Sequence, residues 1–398
     1  MNWMQLDQDY VAHTYSRFPL CLVEGKGSIL WDESGKEYID LGSGIAANTF
    51  GVADDVWQQA VIEQLGKLQH ASNLYYTEPC ARLAQLLCEK TGMKKVFFSN
   101  SGAEANECAI KAARKYAAAT LGHQYTTIIT LEGSFHGRTI TTLAATGQDV
   151  FHQQFQPLTP GFVYAKPNDV QQLVQLLEKY PCAAVMMEMV QGEGGVNALE
   201  PDYVQNAARL AAQHGALLIV DEVQAGNGRT GKLYAYMHYG IQPDIVTTAK
   251  GLGGGLPIGA TLFSEKTQGI YTPGDHGSTF GGNPVSCAGA ISIVQRLEQE
   301  TLSKVQAKSN LIRAMLTDAP GIRSVSGLGL MLGIETVGDA SSIVLECMKQ
   351  GVLVLKAKEK IRLLPALNIP DETLQKGIAV LKQVCAEIQE KGGTAKCS

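Results

Sequence analysis

Short apolar runs at residues 95–98, 126–131, 183–188, 216–221 and 244–246 alternate with stretches whose apolar positions recur at helical spacing, such as 168–179 and 202–213. Strands and helices alternating in this way bury their apolar faces together as a mostly parallel sheet with crossover helices packed on it. An α/β core is therefore expected, with one of its helices opening at about Ala103. From about Pro284 the order changes to a long helical segment running towards Ala314, strand-like pieces at 328–334 and 352–355, and a final helix. That change predicts a large domain over 51–283 built on the mostly parallel central sheet, and a smaller α+β C-terminal domain over 284–398 to which the N-terminal segment 1–50 contributes.

A chain of 398 residues is longer than one small core usually holds, which agrees with two domains. No apolar stretch is long enough to cross a bilayer, so no membrane partner is expected. The net charge of −5 comes without a basic stripe, which argues against nucleic acid. The first ten residues lack a basic flank followed by an apolar core, so the cytoplasm is the expected location. The nine cysteines include no C-x-x-C pair, and most, such as Cys108, Cys182 and Cys385, sit among apolar neighbours. They read as reduced core residues, and no metal site is expected.

Lys250 follows the apolar run that starts at Asp244 and faces Gly251-Leu-Gly-Gly-Gly255, while Asp221 closes another run upstream. A lysine in such a place can form a Schiff base with pyridoxal phosphate, and a carboxylate ending a neighbouring strand can keep the pyridine nitrogen protonated, making the ring an electron sink. Lys250 and Asp221 are therefore the candidate catalytic pair. The glycine run lacks G-x-G-x-x-G spacing and has Pro257 where a helix should be under way, which argues against a dinucleotide site.

Three further motifs fit the same cofactor. In Ser99-Asn-Ser-Gly-Ala-Glu-Ala-Asn106 a strand gives way to a helix whose free N–H groups and positive dipole suit a phosphate, with Ser101, Gly102 and Ala103 at the start. An ordinary helix start with Ser101 and Glu104 in a capping box explains the same residues equally well. Phe135-His-Gly-Arg138 offers an aromatic face for a ring and a guanidinium for a carboxylate, although an arginine alone is more often a surface ion-pair partner. In Asp221-Glu-Val-Gln224 the aspartate suits the ring nitrogen, Val223 the ring face and Gln224 the ring oxygen; Glu222 is counted with them, and a simple helix cap is the plain alternative.

With Thr14-Tyr-Ser-Arg-Phe-Pro19, His70-Ala-Ser-Asn-Leu-Tyr-Tyr-Thr-Glu-Pro79, Gln191-Gly-Glu-Gly-Gly195 and Ser278-Thr-Phe-Gly-Gly-Asn-Pro284, these motifs resemble the acetylornithine aminotransferases, within the class-III pyridoxal-phosphate aminotransferases. The likeness runs from about residue 10 to about residue 390 with the motifs in family order. It implies a fold-type-I homodimer with each active site at the subunit interface, a Schiff base at Lys250, and Gly102 with Ala103 at the phosphate. Thr279 would complete the phosphate site of the partner subunit, and Ser278 would touch the neighbour's substrate. Arg138 would take the substrate carboxylate, and Glu193 would pair with Arg362 as a switch between an amino donor and 2-oxoglutarate.

Ile45 aligns with a tyrosine that ornithine aminotransferases use to recognise a free α-amino group, and an isoleucine cannot make that hydrogen bond. The resemblance thus implies transamination of N-acetylornithine, with ornithine, succinylornithine and succinyl-diaminopimelate as other donors. An aminomutase-type isomerase and a non-catalytic cofactor-binding protein are the readings from other classes. The chain departs from the family pattern at Gly51-Val-Ala-Asp-Asp55, at Met189 in place of a proline, and at Ala103 in place of a common threonine.

Overall fold

The computed structural model describes residues 2–394. Its centre is a seven-stranded sheet in the order Lys95–Ser99, Gly259–Phe263, Ile245–Thr248, Leu217–Asp221, Cys182–Met187, Thr127–Leu131, Phe162–Ala165. Gly259–Phe263 runs antiparallel to both of its neighbours, and the other pairings are parallel. The inner strands Cys182–Met187 and Leu217–Asp221 are buried at every position. Helices therefore cover both faces, as a parallel sheet requires. Ser99, Leu131, Met187, Asp221 and Thr248 end their strands at one edge of this sheet, the edge where ligands collect in open α/β folds.

The helix expected near Ala103 spans Gly102–Thr120, and Pro201–Gln213 and Val170–Lys179 agree with the helical stretches read from sequence. Two local expectations are corrected. The segment after Pro284 is two helices, Pro284–Arg296 and Gln299–Leu316, because the chain leaves helical geometry at Leu297, whose side chain is buried. The strand expected at 328–334 is the turn and second arm of a hairpin, Ile322–Leu328 with Met331–Thr336. Gly329, with φ of 54°, makes that turn against the backbone of Thr230, 2.5 Å from where a Cβ would stand.

The N-terminal strands Leu22–Lys26, Ile29–Asp32 and Glu37–Asp40 form one sheet with Val352–Leu353 from the far end of the chain. A second four-stranded sheet holds the hairpin together with Leu355–Ala357 and Lys360–Leu363. Arg229, a buried guanidinium in the loop after Leu217–Asp221, donates to the carbonyls of Leu330, in the hairpin turn, and Pro365, just past Lys360–Leu363, and so ties that loop to the second sheet. Helix Pro284–Arg296 packs on Asp55–Leu65 and Glu78–Thr91, so the segment just after residue 283 leans on elements before it. Among the described residues no helix is long and apolar enough to cross a membrane.

The departure at 51–55 has a local role. Asp54 caps the Asp55–Leu65 helix by accepting from Trp57 N at 3.0 Å, and it pairs with Arg296 at 2.7 Å. Met189 is fully buried, and its carbonyl accepts from Leu199 N at 3.0 Å.

Candidate active site

A cavity of about 570 Å³ opens at the strand-end edge and is lined by Ser101, Gly102, Ala103, Phe135, Arg138, Asp221, Val223, Gln224 and Lys250 among others. Residues distant in sequence thus meet in one place, of a size usual for cofactor sites.

Ser101 is the N-cap of Gly102–Thr120, accepting from Glu104 N at 3.2 Å. The reciprocal arm of the expected capping box is shifted by one residue: the Glu104 carboxylate accepts from Asn100 N at 2.9 Å and from Ser101 Oγ at 3.0 Å. The N–H groups of Gly102 and Ala103 have no acceptor among the described residues and open into the cavity. Position 102 must be glycine, since a Cβ there would stand 2.6 Å from Val223 Cγ1.

Asp221 is held by three donors. Its Oδ2 accepts from Asn106 Nδ2 at 2.7 Å and lies 2.8 Å from His136 Nδ1, while Oδ1 accepts from Val223 N at 2.9 Å. Burial disfavours charge on His136, yet the Asp221 carboxylate outweighs it and raises the imidazole pKa. Asn106 is fixed in turn by Thr247, whose hydroxyl donates to its Oδ1 at 2.6 Å. Neither Asn106 nor His136 was singled out from sequence. Asn106 closes the phosphate motif and His136 lies inside Phe135-His-Gly-Arg138, so the signal was their position within motifs already noticed.

Lys250 sits just past the Ile245–Thr248 strand with φ of 47°, a left-handed backbone that a lysine adopts only when its surroundings impose it. Asn227 secures that strand end, donating to Thr248 Oγ1 at 3.0 Å and Ala249 O at 3.1 Å. Burial lowers the Lys250 pKa, and nearby Arg362 lowers it further against Glu193, Asp221 and Glu188. A lowered pKa puts more of the amine in its neutral, nucleophilic form. Glu188 was also missed: it lines the cavity, accepts from Phe135 N at 3.0 Å, and burial pushes its carboxyl up to about 8.

Arg138 lies exposed at the cavity, 5.5 Å from the Phe135 ring centre and 5.1 Å from that of Phe151, with no carboxylate in ion-pair contact among the described residues. Arg362 is buried and pairs with Glu193. Its Nη1 also donates to Gln224 Oε1 at 3.1 Å, which places the pair directly behind the cavity wall. Burial works against charge on Glu193, and the Arg362 guanidinium overcomes it to hold the carboxyl below its ordinary range.

Besides Glu193 and Arg362, which stand behind its wall, four of the expected residues do not line this cavity. Glu222 points into the core, where its carboxylate accepts from Ala235 N and Tyr236 N at 2.8 Å each, so it anchors a loop rather than the cofactor. Ile45 lies on a run of left-handed residues, Ser43 to Ala46, and lines a second cavity of about 560 Å³ instead. Ser278 accepts from Asn100 Nδ2 at 3.1 Å, and Thr279 is exposed on the same loop.

An amine, a carboxylate held for a cationic ring nitrogen, a helix start with open N–H groups and a flanking aromatic ring make a donor set that fits pyridoxal phosphate. The Aminotransferase class-III model matches residues 10–385, and the chain belongs to that family. It is a pyridoxal-phosphate-dependent aminotransferase. An acetylornithine aminotransferase of Haemophilus ducreyi is 51% identical over 96% of this chain and 98% of its own length. A succinylornithine transaminase of Salmonella enteritidis is 43% identical, with 97% of each chain covered. Among solved structures, the N-acetylornithine aminotransferase of Stenotrophomonas maltophilia superposes with a TM-score of 0.84 at 36% identity, covering 96% of this chain and 98% of the other. The ornithine aminotransferase of Toxoplasma gondii gives 0.93 at 30% identity, covering 98% and 95%.

Ala103 lines the cavity at the helix start, where a threonine would add a hydroxyl beside an N–H group that is already open. Ala103→Thr is expected to tighten pyridoxal phosphate binding by about five-fold, the worth of one added hydrogen bond. Equilibrium dialysis of the cofactor checks this, and equal or weaker binding counts against a phosphate at Ala103.

Proposed function

We propose that the protein transfers the amino group of N-acetylornithine to 2-oxoglutarate, giving N-acetylglutamate 5-semialdehyde and glutamate. The observation that carries this reading is a pair of guanidinium groups, Arg138 in the cavity without a carboxylate partner among the described residues, and Arg362 behind its wall, masked by Glu193. A donor that reacts through its side-chain amine brings one carboxylate, whereas 2-oxoglutarate brings two. Arg138 serves both, and Arg362 becomes available when Glu193 swings away.

Pyridoxal phosphate supplies a carbonyl that condenses with amines and a ring that stores the electron pair released at the reacting carbon. Gly102 and Ala103 would offer N–H groups to its phosphate, Asp221 would keep the ring nitrogen protonated, and Val223 and Phe135 would flank the ring. Lys250 Nζ would hold and move the proton at the reacting substrate carbon. Gln224 links the ring pocket to the Glu193–Arg362 pair, donating to Glu193 Oε1 at 3.4 Å.

A second copy of the chain would complete the site. Leu74, Tyr75, Tyr76 and Phe280 are exposed beside Ser278 and Thr279, and Asn73 Nδ2 joins the two loops through Ser278 O at 2.8 Å and Gly281 O at 2.9 Å. Apolar side chains left in water next to loops that miss their own cavity suit an isologous dimer.

The test is single-turnover reaction of the purified enzyme with N-acetylornithine, succinylornithine, ornithine and 4-aminobutyrate separately, read from the cofactor absorbance. Fastest conversion with N-acetylornithine supports the assignment. Equal or faster conversion with ornithine moves the protein to the ornithine aminotransferases, and with succinylornithine to the succinyl enzymes. Arg138→Ala is expected to lower kcat/KM for both the donor and 2-oxoglutarate by about 10- to 100-fold, the worth of a charge-assisted contact. Unchanged constants for either substrate would move its carboxylate to another residue.

A further inference from the structure

Glu193 lies in the turn between two short strands, Val190–Gln191 and Asn197–Ala198. That turn rests on the sheet face that bears Arg362. Lys360 and Arg362 alternate along the strand Lys360–Leu363, so both side chains leave the same face. Opposite Arg362 is Gly333, and a Cβ there would stand 2.8 Å from Val196 Cβ. The glycine thus leaves room for the turn to seat against the sheet. Val196 itself has φ of 56°, which a β-branched residue resists, so the turn needs holding from outside.

Four hydrogen bonds hold it. Ser326 Oγ donates to Val196 O at 2.8 Å. Lys360 Nζ donates both to Asn197 Oδ1 and to Ser326 Oγ, each at 2.9 Å. Asn197 Nδ2 then donates across the turn to Gly194 O at 3.1 Å. One ammonium therefore gathers the exit of the Glu193 turn and the small-domain sheet, two positions along the strand from the guanidinium that Glu193 masks.

We propose that Lys360 is a positioning residue that biases the Glu193–Arg362 pair toward its closed state and so sets how readily a second carboxylate is admitted. This rests on the reading of that pair as the switch between amino donor and 2-oxoglutarate. A dicarboxylate must displace Glu193, and the displacement pulls on a turn that Lys360 ties down. A monocarboxylate bound at Arg138 leaves the pair in place and does not feel the tie. Both hydrogen-bond partners of Lys360 are neutral oxygens, and Glu335, which faces it across the ladder, keeps Arg323 at 3.8 Å and Ser324 Oγ at 2.9 Å when the ammonium is removed.

The experiment titrates the holoenzyme with glutarate, a non-reacting dicarboxylate, and with pentanoate, its monocarboxylate counterpart, and measures the two half-reactions alongside. In Lys360→Met the Kd for glutarate and the KM for 2-oxoglutarate are each expected to fall about three-fold, with pentanoate binding and the donor half-reaction unchanged. Lys360→Arg, which keeps two donors, restores the parent values. Ser326→Ala cuts the same tie from the other side and shifts glutarate binding in the same direction. Equal shifts for glutarate and pentanoate, or none for either, overturn the proposal. Glu193→Gln separates the two levels. If it tightens glutarate while Lys360→Met and Ser326→Ala do not, the switch stands and the role of Lys360 falls; if it too leaves glutarate unchanged, the switch reading falls and takes the proposal with it.

Discussion

Lys250→Ala is expected to lower turnover by about 10⁴-fold or more, because one residue supplies both the nucleophilic amine and the proton carrier. The cofactor should still bind, without a covalent link, since its other proposed contacts, at the helix start at Gly102, Asp221 and Val223, line the same cavity and are left intact. The loop is expected to keep its shape, held by Asn227 on the carbonyl of Ala249 and by Thr49 Oγ1, which donates to Gly251 O at 2.7 Å. Dialysis and the absorbance of the bound cofactor report retention, and product formation over many cycles reports turnover. Multiple turnovers in this variant would remove Lys250 from the chemistry.

The second large effect falls on Asp221. In Asp221→Asn the side chain keeps its size, but one carboxylate oxygen is replaced by an amide that donates where Asn106 and His136, or Val223 N, now find an acceptor. The negative charge that favours a protonated ring nitrogen is lost as well. Removing a preorganised electrostatic partner of this kind costs about 10²- to 10³-fold in kcat. A structural readout accompanies the kinetic one. Burial opposes charge on His136 and the Asp221 carboxylate raises its pKa, so the imidazole pKa should fall in the variant, as seen by NMR titration. Parent-like kcat with the His136 pKa lowered would show that the carboxylate serves the histidine and not the ring.

The residues that meet in the cavity were legible in the sequence wherever they sat at the end of an apolar run. Asp221, Lys250 and the Ser101 to Ala103 start each follow such a run, and period and turn residues mark those places without any knowledge of partners. What stayed hidden depends on contacts between distant segments. Gly259–Phe263 is short and follows Pro257, and only its antiparallel ladders with Lys95–Ser99 and Ile245–Thr248 make it a strand. Glu222 carries the same carboxyl as its neighbour Asp221, and its turn toward Ala235 and Tyr236 is decided by a loop more than ten residues on. The break at Leu297 has neither glycine nor proline to announce it, and burial of that leucine decides it. The left-handed course of Ser43 to Ala46, which carries Ile45 into a different cavity, involves one glycine and three residues that rarely adopt it.

Asn106 gives the helix Gly102–Thr120 a metric role. Its first residues line the cavity where a phosphate would sit, and four positions after Gly102 the same rod grips the carboxylate that would face the ring nitrogen. At 1.5 Å of rise per residue the two points stand about 6 Å apart along the axis, fixed by the stiffness of one helix rather than by adjustable loops. On that reading the helix gauges length, and a vitamer with one more methylene in its phosphate arm is expected to satisfy one end of it or the other, but not both.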